Sequence, residues 1–111
     1  MDDLNVAVVC GTVTSEPRTR ELPSGSTVTQ VEVSTRLDDG TCSVPIVVVD
    51  AAVTVGTGDQ VVAVGRVVRR FFRAGGVTQS RTELVATKLV RASNRRSVER
   101  ALRLASDELV R

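Results

Sequence analysis

Residues 61–90 read VVAVGRVVRRFFRAGGVTQSRTELVATKLV. Valine, threonine and phenylalanine favour a pleated, half-buried surface, so the stretch predicts strands rather than helix. It divides into two long extended segments, 61–73 and 77–90, with Ala74-Gly75-Gly76 between them. Consecutive glycines supply the positive φ that a tight hairpin turn demands. Alternation along the first segment puts Arg66, Val68, Arg70 and Phe72 on one face, and Arg69 and Phe71 on the other. Arg81 and Lys88 follow on the return segment. Phe71 is expected to cap a core.

The remainder of the chain extends this hairpin into an all-β unit. Residues 4–14 read as a first strand, with Gly11 as a bulge or bend of the kind that turns a barrel corner. Arg18 to Leu22 form a short extended piece, and Ser24-Gly25 turn into a strand over 27–36. Val28, Val31 and Val33 do not keep one parity there, so a bulge intervenes or both faces are partly buried. Asp38-Asp39-Gly40 is a hairpin tip. Residues 43–50 form a third strand in which Pro45 implies an edge or bulge. Residues 51–60 are a loop with room for one helical turn at most. Five strands with glycine at the bends fit a five-stranded barrel of the OB type over residues 1–92.

The period changes after residue 93. Val98, Leu102, Ala105 and Leu109 make a helical stripe within 94–111. Ser93 or Asn94 can cap its start. The expectation is an amphipathic C-terminal helix over 93–111 that packs on the barrel, since two heptads make a weak coiled coil.

The chain has 111 residues, enough for one domain with a real core and no metal or disulfide staple. Its net charge of +2 is unevenly laid out. Residues 1–65 carry three arginines against nine acids, whereas residues 66–92 carry seven basic residues against Glu83 alone. Such a basic hairpin suits a polyanion or serves merely as a solvated edge. Histidine is absent, which removes Ser or Cys triads and makes zinc binding implausible. The glycine pairs lack the Lys-Ser/Thr of a phosphate-binding loop. No catalysis and no cofactor are expected. Cys10 and Cys42 have no CxxC spacing and read as reduced thiols packed as small apolar groups. Asp2 and Asp3 stand where a secretory signal would be basic, and no apolar run could span a bilayer, so a cytoplasmic location is expected.

A set of landmarks keeps its order along the chain: Asn5, Gly11, Glu16-Pro17, Arg20, Pro23-Ser24-Gly25, Gly58-Asp59-Gln60-Val61, Gly65-Arg66, Phe72 and Arg81-Thr82-Glu83-Leu84. Over about residues 4–90 this resembles the bacterial single-stranded DNA-binding protein family, whose domain is an OB-fold barrel. The resemblance implies that Phe72 is an exposed ring on which a base stacks. It implies that Arg66, Arg69, Arg70, Arg73, Arg81 and Lys88 pair with phosphates. It also implies non-specific single-stranded DNA binding in replication, recombination or repair, and assembly with further copies of the chain, as a dimer or a tetramer, through the edge of the first strand and the hairpin faces.

Departures from the family pattern temper this. Its other stacking rings lie on the second and third strands, where this chain has Val28-Thr29-Gln30-Val31 and Thr41 to Val47. Each stack contributes ~1–3 kcal/mol, so two or three absent rings weaken binding by ~2–9 kcal/mol. The family's acidic, apolar-tipped tail, which recruits replication and repair proteins, is replaced by the basic helix. An accessory role follows. The alternative is an assembly module, on the pattern of the dimeric relative primosomal replication protein N, that keeps the fold and binds nucleic acid weakly.

Overall fold

A computed structural model describes residues 2–110. Its strands are β1 (Ala7–Val13), β2 (Arg18–Glu21), β3 (Thr27–Leu37), β4 (Gly40–Val49), β5 (Gln60–Ala74) and β6 (Val77–Arg91), followed by the helix α1 (Arg95–Val110). Five strands close a ring in the order β1-β5-β6-β4-β3, sealed by a short β1–β3 contact at Thr12 and Val13. This is the expected OB-type arrangement. The short extended piece is a sixth strand, β2, which adds to the outside edge of β3. The 50–59 stretch holds no helix.

Turn chemistry fixes the hairpins. Gly75 and Gly76 both have positive φ, +60° and +80°, and close a two-residue turn between Ala74 and Val77. Gly11 has a different role from the expected bulge. It lies where β3 crosses β1, and a Cβ there would meet the carbonyl oxygen of Ser34. The irregularity sits instead at Val64/Gly65, where Thr87 is the extra residue and its hydroxyl donates to the Val64 carbonyl at 3.2 Å. Gly65 is equally confined, against the carbonyl oxygen of Val85. Pro45 is tolerated because β4 pairs with β6 only at Ile46 and Val47.

The core fills the ring with small branched side chains. Val13, Val31, Val33, Ile46, Val61 and Leu84 are its largest fully buried members. Val31 and Val33 enter the core while Val28 is buried on the opposite face of β3, which accounts for the broken valine parity.

On the outside, α1 covers Val62 and Val64 with Ala101, Ala105 and Val98. Asn94 caps it: its side-chain oxygen accepts from the Ser97 N–H at 3.1 Å. The helix lies on the ring as expected, through Val98 and Ala105 of the expected stripe but not through its two leucines. Leu102 and Leu109 point to solvent, and Ala101 is used in their place. Alanine permits the close approach, whereas leucine would hold the helix further off. Both cysteines are free and exposed, contrary to the expectation that they are packed. Among the described residues no helix is long and apolar enough to cross a membrane.

Candidate nucleic-acid interface

Pairing between β5 and β6 runs unbroken from Gly65 to the turn, so side chains alternate strictly over that ribbon. Arg70 and Phe72 share the outer face with their partners Arg81 and Gln79 and with Glu83. The ribbon curls over the outer face of β3 and β2, where Gln30 and Arg20 lie. Between them is a groove of about 390 Å³, lined by Arg20, Gln30, Arg70, Phe71, Phe72, Arg81 and Glu83.

The groove is electrostatically mixed. Glu83 is only 3% exposed, and its carboxylate accepts from Arg70 Nη1 at 3.4 Å. Arg81 bridges two acids: Nη2 lies 3.1 Å from Glu32 Oε1 and Nε lies 3.6 Å from Glu83 Oε2. The second distance allows charge attraction but is too long for a hydrogen bond, and Arg81 Nε has no other partner. Arg20, Arg70 and Arg81 are thus opposed by Glu32 and Glu83, leaving one unit of net positive charge. A groove with this makeup can hold a phosphate against guanidinium and a flat group against Phe72.

The sequence-predicted residues separate into three places. Arg70, Phe72 and Arg81 meet in the groove. Arg69 and Arg73 stand on the reverse face of the ribbon, and Arg73 Nη2 donates to the Gly76 carbonyl at 2.9 Å. Arg66 borders a cleft beside α1 with Asn5, Thr87 and Leu104. Lys88 pairs across from Val64, within the footprint of α1. Arg20 and Gln30 were missed as site residues. The signal for Arg20 was its alternation with Arg18 on a short exposed strand, but which face the ribbon would overhang is set by the fold.

Phe71 is not in the core; at 69% it is more exposed than Phe72 at 45%. Its parity is that of Val61 and Ala63, which are buried inside the ring. The ribbon outruns the ring, however. The β4–β6 pairing ends at Leu84, opposite Val67, and beyond it no described strand pairs with β6 to close the ring over this face.

No family model and no curated protein matches the chain. Solved structures do. A deletion mutant of the single-stranded DNA binding protein from Thermus aquaticus superposes with a TM-score of 0.66 at 22% identity over 79% of this chain. This chain spans 40% of that protein's length. Plasmodium falciparum SSB, solved in complex with ssDNA, gives a TM-score of 0.68 at 21% identity, covering 82% of this chain and 96% of that one. This chain has the OB fold of the single-stranded DNA-binding proteins.

Within that OB fold, Asn5 shows how a landmark residue acts. Its side chain imitates a strand: Nδ2 donates to the Val67 carbonyl at 2.8 Å, and Oδ1 accepts from the Val67 N–H at 2.9 Å. This ties the chain before β1 to β5 just past the bulge.

Proposed function

We propose that this chain binds single-stranded DNA without sequence preference, as an accessory factor in replication, recombination or repair. The observation that carries the reading is the convergence of Phe72, Arg70, Arg81, Arg20 and Gln30 on one groove. Guanidinium groups meet phosphates, a ring meets one base, and neither depends on base identity. Arg66, Arg69, Arg73 and Lys88 extend the basic surface around the groove. The function is binding rather than catalysis, in the cytoplasm. Self-assembly fits the edge of β1, which from Ala7 to Gly11 pairs on one side only.

The test is fluorescence anisotropy of a labelled oligo-dT of about 35 nucleotides at low and at physiological salt, with wild type and Phe72→Ala. Saturable binding that survives salt and weakens about 5- to 150-fold without the ring supports the reading. Binding indifferent to Phe72, or equal for duplex and single strand, sinks it.

A second reading, a protein-assembly module, has its own support. Arg70 and Arg81 are already engaged by carboxylates. Leu102, Leu104 and Leu109 are exposed on α1. It predicts weak, strand-indifferent binding that vanishes near physiological salt.

A further inference from the structure

The helix α1 carries its charges in the order that its own backbone disfavours. Aligned peptide dipoles leave the N-terminal end of a helix positive and the C-terminal end negative. The first turn nonetheless holds Arg95 and Arg96 and no acid, and the last turn holds Asp107 and Glu108 and no base. Among the described residues no ion pair engages Glu99, Arg103 or Asp107. The ring takes only the edge of α1 made by Ala101 and Ala105 with Val98. Leu102 and Leu109, about two turns apart on one flank, stay 42% and 61% exposed. The helix thus presents apolar side chains beside a charge layout that nothing in its own chain offsets.

We propose that this outer flank of α1 docks a second copy of the chain, the two helices lying antiparallel about a two-fold axis beside Leu102. A two-fold contact must be self-complementary, and antiparallel pairing makes α1 so. The last turn of each helix, with its negative dipole end, comes beside Arg95 of the other. Arg95 then donates to last-turn carbonyls that no intrahelical N–H reaches. With Leu102 near the axis, residues just before it face residues just after it in the partner. Glu99 of each copy therefore stands across from Arg103 of the other. Leu102 meets its own counterpart, and Leu109 covers the stem of the partner's Arg95. Other occupants fit less well. Nucleic acid is repelled by Asp107 and Glu108 and leaves the leucines in water, and an apolar protein surface would bury Glu99 and Arg103 without partners. A contact between two single helices is small, at the weak end of the range for protein interfaces, so association depends on concentration. The proposal rests neither on the nucleic-acid reading nor on the edge of β1.

The experiment is sedimentation velocity of the full chain from about 1 µM to about 500 µM, the range in which weak interfaces form and come apart. It compares wild type, Glu99→Arg, Arg103→Glu and an equal mixture of those two variants, with circular dichroism to check folding. Each variant alone sets like charges across the axis and is expected to weaken association about 10-fold or more. In the mixture one copy supplies arginine at both positions and the other glutamate, so association is expected to return to within about 3-fold of wild type. Leu102→Ser is expected to weaken association as the charge variants do. At about 1 µM, where the pair has dissociated, it unfolds with wild type. Three results overturn the proposal: a wild type that does not associate, single variants that associate as wild type does, or a mixture no stronger than its components. Association through the edge of β1 alone gives the second of these, since it leaves every sample alike.

Discussion

Glu83 is the residue whose removal best tests how the groove works. It is the single acid among residues 66–92 and is almost fully buried between Arg70 and Arg81. Glu83→Gln keeps the shape and removes the charge, so the groove gains one unit of net positive charge. A single strand that neutralises one more charge releases about 0.7 of a counterion. At about 0.1 M salt this corresponds to about 5-fold tighter binding and a salt slope steeper by about 0.7. The fold bears a cost. Stranding a partner of a fully buried ion pair costs about 3–5 kcal/mol, but Arg70 and Arg81 are 48% and 38% exposed and can be rehydrated, which lowers the figure to about 1–2 kcal/mol. For a chain of this length that is a fall of about 4–8 °C in Tm. The assay is anisotropy with oligo-dT at several salt concentrations, alongside a thermal melt. Unchanged affinity and slope in a folded variant would show that Glu83 does not compete with phosphate. Weaker binding would show that it positions the arginines for phosphate, and either result refutes the reasoning.

Two further predictions concern the frame. Gly65→Ala puts a Cβ against the Val85 carbonyl and is expected to cost about 3 kcal/mol, a loss of about 12 °C in Tm; a variant that melts with wild type contradicts the close approach. Ala101→Leu overfills the contact with Val62 and Val64 and is expected to cost about 1–3 kcal/mol, while Leu102→Ser stays within about 0.5 kcal/mol of wild type. Urea titration of the pair tells which face of α1 meets the ring, and the reverse order of effects would place the wrong one against it.

The ring was legible because its signals are local. A pair of glycines between two valine-rich runs specifies a hairpin, and the change of period after residue 93 specifies a helix. What the sequence left open depends on distances between elements. Parity correctly placed Phe71 on the face of Val61 and Ala63, but parity does not tell where the ring ends. That needs the β4–β6 pairing, whose last member is Leu84. The same holds for α1. Its stripe of Val98, Leu102, Ala105 and Leu109 is a sound helical pattern, yet the seat on Val62 and Val64 favours the narrow edge made by Ala101 and Ala105. The sizes of facing side chains decided the rotation, and hydropathy alone cannot weigh them.

Charge shows the difference most sharply. Counted along the chain, residues 66–92 form a strongly basic block and residues 1–65 an acidic one. Folding brings the two blocks into contact, because β3 lies across the groove from the ribbon. Glu32 comes from the acidic block and meets Arg81 from the basic one. The outer face of the ribbon is thereby brought close to neutrality. The reverse face, out of reach of β3, keeps the charge of Arg69 and Arg73. A linear count therefore overstates the groove and says nothing about which face retains the excess.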